Sequence, residues 1–122
     1  MAKNSVALGA AYEALVVRYL IANGLAIIAT NYRCRFGEID IIASSPDSLI
    51  FIEVKYRTAN TFGLPEDYLT AAKQRKLIKA AHHFLCENRE YQNQPLRFDV
   101  IANKNSEIIW IKNAIDCESS WI

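Results

Sequence analysis

Apolar positions recur with two different periods along this chain. Over residues about 5–22, Leu8, Tyr12, Leu15, Val16, Tyr19 and Leu20 repeat at helical spacing, and Asn23-Gly24 then supplies a stop signal. From Leu25 to about Arg35 the pattern turns extended and leads through Gly37 into Ile39 to Ala43 and Leu49 to Tyr56. Both of these last runs are rich in Ile, Val and Phe, as strands are. Residues 57–69, with Gly63 and Pro65, read as a loop. A second helix is expected from about Thr70 to Asn88, with Leu77, Ala80, Ala81, Phe84 and Leu85 along one side. Leu96 to Ile101 and Ile108 to Ile111 complete the pattern as strands separated by the polar turn Asn103-Lys104-Asn105-Ser106. The order α-β-β-β-α-β-β predicts an α/β fold with a mixed sheet flanked by helices.

Within the central strands, three charges stand where burial is expected. Asp40 lies in the first run, and Glu53 and Lys55 lie in the second. Charges in such surroundings are costly unless paired, hydrogen-bonded or bound to a metal. Ser44-Ser45-Pro46-Asp47-Ser48 is a dense cluster of turn formers. If Pro46 and Asp47 form the turn centre, Ala43 opposes Ile50 and Asp40 opposes Glu53. Lys55, two residues on, then shares a face with Glu53. Two carboxylates and a lysine so placed suit a divalent-metal site for phosphate chemistry. An ordinary ion-pair cluster on a half-exposed strand has the same spacing, and a one-residue slip would undo either arrangement.

Composition narrows the class without naming the chemistry. A chain of 122 residues with 52% hydrophobic and 22% charged residues suits one globular domain spanning 1–122. Its formal net charge of +1 means that nucleic-acid binding would need a local patch. Cys34, Cys86 and Cys117 are odd in number and widely spaced, which favours a reducing cytoplasm over a disulfide framework or a zinc site. Glu13 and Arg18 interrupt the early apolar stretch, so neither a signal peptide nor a membrane span is expected.

Two further charges fall beside apolar stripes. Glu13 has Gly9, Val16, Val17 and Leu20 as helical neighbours. It is either a helix-edge carboxylate paired with a basic group such as Arg18, or an acidic group facing the metal site, with small Gly9 permitting close approach. Lys73 heads the apolar stripe of the second helix, where it either snorkels to water or reaches toward a bound phosphate. Gln74, Arg75, Lys76 and Lys79 surround it, and Arg33, Arg35, Arg57 and Arg97 lie elsewhere in the chain. Together these could form a phosphate-binding surface, while a solvated helix face is the plainer alternative. His82 and His83 are adjacent on a helix and point in different directions, which argues against a histidine-rich metal site.

The blocks Gly37-Glu38-Ile39-Asp40-Ile41-Ile42-Ala43 and Phe51-Ile52-Glu53-Val54-Lys55-Tyr56-Arg57 resemble the signature of the PD-(D/E)XK nuclease superfamily. The chain as a whole is similar to the YraN-like family of small bacterial proteins, related to that superfamily and to archaeal Holliday-junction resolvases. Gly9, Glu13 and Ala14, Asn31-Tyr32-Arg33, Gly63, Lys73, Arg97-Phe98-Asp99-Val100 and Asn113-Ala114 extend the likeness over nearly the full length. The eponymous Pro-Asp pair of the superfamily is Ile39-Asp40 here.

The resemblance implies a restriction-endonuclease-like fold with the Asp40–Lys55 hairpin at its centre. It implies that Asp40, Glu53 and the main-chain carbonyl of Val54 bind Mg²⁺ or Mn²⁺. Lys55 would orient the attacking water or stabilise charge on the phosphate, and Glu13 would match a first-helix glutamate of resolvase-like members. Arg33, Arg35, Arg57, Lys73, Arg75 and Lys76 are the expected nucleic-acid contacts. The expected function is a metal-dependent endonuclease acting on DNA, including branched or structured DNA. A non-catalytic module that binds nucleic acid or a protein partner through the same fold is the alternative. A homodimer, with Ile108 to Ile111 and Trp121-Ile122 as contact candidates, is expected by analogy with resolvase-like relatives.

Overall fold

A computed structural model describes residues 2–56, 69–104 and 107–115, with side chains from residue 8 onward. The expected loop with Gly63 and Pro65, Arg57, the turn residues Asn105 and Ser106, Cys117 and Trp121-Ile122 lie outside the described residues. Helix α1 spans Ala2–Ala22, and strands β1 (Ala26–Cys34), β2 (Gly37–Ser44) and β3 (Leu49–Lys55) follow. Helix α2 spans Ala71–Glu87, a short 3₁₀ turn covers Arg89–Tyr91, and β4 (Leu96–Lys104) and β5 (Glu107–Ile111) close the order. Among the described residues, the sequence pattern anticipated every element except the 3₁₀ turn.

Local chemistry fixes the ends of both helices. At the end of α1, Gly24 takes φ +91°, a conformation costly for a residue with a Cβ. Leu25 N–H then donates to Leu20 O and Gly24 N–H to Ile21 O, which satisfies two terminal carbonyls. Thr70 caps α2 by accepting from Lys73 N–H at 3.2 Å. At the other end Asn88 N–H donates back to Leu85 O.

The five strands lie in the order β1-β2-β3-β4-β5. All neighbouring pairs are antiparallel except β3 and β4, which are parallel. A parallel pair needs a crossover connection, and α2 lies within it. The β2–β3 turn has the geometry expected from its residues. Ser45 N–H donates to Ser48 O, Ser48 N–H donates to Ser45 Oγ, and Ala43 pairs with Ile50.

Both faces of the sheet are covered. Tyr12, Val16 and Leu20 of α1 pack on Ile41, Ala43, Ile50, Ile52 and Ile101. Leu77, Ala80, Ala81 and Phe84 of α2 pack on Ile42, Leu49, Phe51, Phe98 and Val100. The helices therefore lie on opposite faces, which explains why β3 reads as an unbroken apolar run. Leu8 and Leu15, expected on the packed stripe of α1, are instead exposed at its side. No helix among the described residues is long and apolar enough to cross a membrane.

One polar group is buried at the far side of the sheet. The Asp99 carboxylate on β4 accepts from Arg97 Nε and Nη2, from Trp110 Nε1 at 2.8 Å and from Asn113 N–H at 2.8 Å. These bonds tie β4 to β5 and to the residues just after it, where Asn113 takes φ 57°. Arg97, considered from sequence as a phosphate contact, is thus engaged by a buried partner. Asp99→Ala leaves a guanidinium, an indole N–H and a main-chain N–H without their acceptor. The expected loss is about 3–5 kcal/mol of folding stability, to be read from the denaturation midpoint in urea, with Asp99→Asn losing less.

Candidate functional site

The sheet divides at Asp40. Pairing between β2 and β3 runs from Ser44↔Leu49 to Ile41↔Ile52 and goes no further. Beyond that point β2 stays with β1 as far as Gly37, while β3 stays with β4 as far as Lys55↔Ala102. The pleat also changes phase here. Ile41 packs on the α1 side and Ile39 on the α2 side, although residues two apart in a strand ordinarily share a face. On β1 the same change falls between Thr30↔Ile41 and Tyr32↔Ile39, at Asn31, whose φ is 52°. Asparagine is among the few residues other than glycine that adopt this conformation readily.

The division carries Asp40 into the gap. Its Oδ2 accepts from Val54 N–H at 2.8 Å, filling the place of a strand–strand bond. In a strand, the carbonyl of a residue points to the same neighbour as its N–H. The Val54 carbonyl therefore also faces the gap. The Asp40 carboxyl stands beside that of Glu53. Glu53 Oε2 lies 3.1 Å from Lys55 Nζ, and these two side chains are only 14% and 16% exposed. The register is the one expected from the turn, but splitting of the strands is what brings these groups together.

Burial, above all, pushes the Asp40 carboxyl up to about 8, and the hydrogen bond with Glu53 and its charge act in the same direction. The Val54 N–H works against this and the Glu13 charge adds to it. Glu13 is itself raised, first by burial and then by Glu38 and Glu53, with a hydrogen bond from Asn31 opposing. With its nitrogen turned toward the two carboxylates, the Asn31 amide donates to Glu13 Oε1 at 3.3 Å and Glu38 Oε1 at 3.2 Å. Asn31 and Glu38 were not singled out as site residues from sequence. The signal for Asn31 was an αL-tolerant residue in the middle of a strand pattern.

On the α1 side Asp40 opens onto a cleft of about 760 Å³. Gly9, Glu13, Asn31, Arg33, Glu38 and Asp40 contribute to its wall. A Cβ on Gly9 would meet nothing within 4 Å, so close helix approach does not explain the glycine there. Arg33 pairs with Glu38 at 3.5 Å across an exposed contact. The expected nucleic-acid contacts fall in different places. Arg33 lines the cleft, and Arg35 is at the β1–β2 tip. Lys73, Arg75 and Lys76 are exposed on α2, which covers the opposite face.

Among the described residues, no three His, Cys, Asp or Glu side chains are grouped so as to hold a metal ion by themselves. Mg²⁺ asks for less, since it keeps several waters and commonly uses one or two carboxylates. Asp40, Glu53 and the gap-facing Val54 carbonyl form an all-oxygen donor set of that kind. The proton that burial and the neighbouring Glu53 and Glu13 charges favour on Asp40 marks negative charge in excess of local compensation, which a divalent cation would neutralise.

The same proton has a measurable consequence in chelator-treated protein. A carboxyl with a raised folded pKa keeps a proton that the unfolded chain has already lost. Its stabilising contribution is therefore present at low pH and lost as pH rises from near 3.8 through about 8. Asp40→Asn removes this dependence while keeping an acceptor for Val54 N–H. Its melting temperature, relative to wild type, should rise across that window by about 4 °C or more at the alkaline end. An unchanged difference between acid and alkaline scans would show that Asp40 is already ionised.

Comparison with known proteins gives consistent matches along the chain. Residues 12–102 match the uncharacterised protein family UPF0102. A UPF0102 protein of Lachnoclostridium phytofermentans is 45% identical over 112 residues, covering 92% of this chain and 95% of the relative. One from Saccharophagus degradans is 42% identical over 106 residues, covering 87% and 90%. One from Francisella tularensis subsp. tularensis is 44% identical over 111 residues, covering 90% and 95%.

Proposed function

We propose that this chain, which belongs to the UPF0102 family, is a Mg²⁺-dependent endonuclease of the PD-(D/E)XK superfamily that hydrolyses phosphodiester bonds in DNA. The observation that carries this reading is the gap between β2 and β3. It holds the Asp40 carboxylate on Val54 N–H at 2.8 Å, beside Glu53, with Lys55 Nζ 3.1 Å from Glu53 Oε2. The five-stranded mixed sheet between two helices supports it, being the arrangement of a restriction-endonuclease-like fold.

Asp40, Glu53 and the Val54 carbonyl would hold the cation. When bound, Mg²⁺ polarises a phosphate oxygen and lowers the pKa of a water bound to it. Lys55 offers a compact ammonium, placed beside the carboxylates, to hydrogen-bond an anionic phosphate oxygen. Glu13, whose carboxyl is raised by burial, lines the cleft and is placed to take a proton from water there.

Purified protein should cleave members of a panel of labelled duplex, branched and single-stranded DNAs when Mg²⁺ or Mn²⁺ is present. Asp40→Asn and Lys55→Ala should each lower the cleavage rate by about 10²–10³-fold or more, with the fold intact by circular dichroism. Cleavage that survives both substitutions would place the chemistry elsewhere. Nucleic-acid binding without metal-dependent turnover on any substrate would favour a non-catalytic binding module.

A further inference from the structure

The connection between β1 and β2 is short, with Cys34 paired to Gly37 and only Arg35 and Phe36 between them. Two-residue hairpin tips favour Asn, Asp and Gly. An arginine and a phenylalanine are therefore there for something other than the turn. Gly37, at φ +149°, relieves the backbone immediately afterwards.

The tip is held in a defined place. The Arg35 guanidinium lies 4.7 Å from the Phe36 ring centroid, and the His83 ring meets Phe36 edge-on at 6.0 Å. His83 is itself fixed by Tyr32. The Tyr32 hydroxyl donates to Glu87 Oε1 at 2.7 Å and accepts from His83 Nδ1 at 2.7 Å. Phe36 remains partly exposed and Arg35 is exposed. The helix beside the tip is basic. Lys76 Cβ is 3.7 Å from where a Cβ on Gly37 would stand, and Lys79 is exposed one turn further along, toward His83.

We propose that this tip is a stacking platform for an unpaired base of a single-stranded nucleic-acid segment, with Arg35 and Phe36 contacting the base and Lys76 and Lys79 contacting phosphates. The charge sign selects an anionic partner. The guanidinium on an aromatic ring selects a flat one, since unpaired bases stack on both kinds of plane. Bases within a duplex are already stacked and would not be available. The inference rests on the reading that the substrate is a nucleic acid. It adds that the substrate carries a single-stranded element, held on the α2 side of the tip roughly 13 Å along β2 from Asp40 at strand spacing.

Fluorescence anisotropy of the full chain in chelator, with a labelled single strand and a blunt duplex, tests this. Phe36→Ala should weaken single-strand binding about tenfold and duplex binding by less than about twofold. Phe36→Trp should restore the single-strand affinity, and Lys79→Ala should weaken both and flatten the salt dependence. In the wild type, 2-aminopurine within the single strand should change its emission on binding, a readout that does not depend on any variant folding. Equal losses on both ligands, no loss with Phe36→Ala, no binding of either ligand, or an unchanged 2-aminopurine signal would each overturn the platform. Cleavage is scored separately. Stacking without metal-dependent cleavage leaves the platform standing and removes only the nuclease reading, whereas cleavage without stacking does the opposite.

Discussion

A single hydrogen bond, from Val54 N–H to the Asp40 carboxylate, does the work of a strand–strand bond at the place where the sheet opens. Without a substitute acceptor, separating two central strands would leave a main-chain donor unpaired beside the core, at a cost of about 1–3 kcal/mol. With it, the sheet opens while the Val54 donor stays satisfied. The same carboxylate that satisfies the backbone is thereby placed beside Glu53. Structure and candidate chemistry share one group at this point, which is why neither can be altered independently of the other.

The surroundings maintain that opening from two directions. On one side, Asn31 takes an αL conformation opposite Asp40 and turns the phase of the β1–β2 pair, so that Ile39 and Ile41 pack on opposite helices. On the other side, β3 keeps its parallel pairing with β4 beyond the point where β2 leaves. The Asn31 amide then reaches two of the cleft carboxylates. A residue chosen for backbone geometry thus also moderates the repulsion among Glu13, Glu38 and their neighbours.

Most of the elements were legible in the sequence because their causes are local. Thr70 and Asn88 bracket α2, Asn23-Gly24 ends α1, and Ser45 to Ser48 fix the register of β2 and β3. The phase change at Asp40 was not legible, because it depends on Asn31 facing it across a strand pair that only the fold creates. The exposure of Leu8 and Leu15 was missed for a related reason. Helical spacing defines a stripe, but which edge of the stripe meets the sheet depends on how the helix is laid down. Asp99 was noticed only within a resemblance. Its partners Trp110 and Asn113 come from beyond a turn, so their convergence has no signature in the residues around Asp99 itself.

The two arms of the opened sheet differ in how they are supported. The β3 arm continues from four buried residues, stays joined to β4, and is backed by the Asp99 cluster that fastens β4 to β5. Beyond Asp40 the β2 arm pairs with β1, an edge strand that is exposed or half-buried along its length, and sets Ile39 against α2. Resistance to local opening follows burial and contact density. The opening between β2 and β3 is therefore a vice whose fixed jaw is braced within the sheet and whose other jaw is braced by α2 through buried Ile39. Glu53, Val54 and Lys55 sit on the fixed jaw as a reference frame. Asp40 sits where the two jaws part, and the β1–β2 tip beyond it is pinned to α2 through Phe36 and His83.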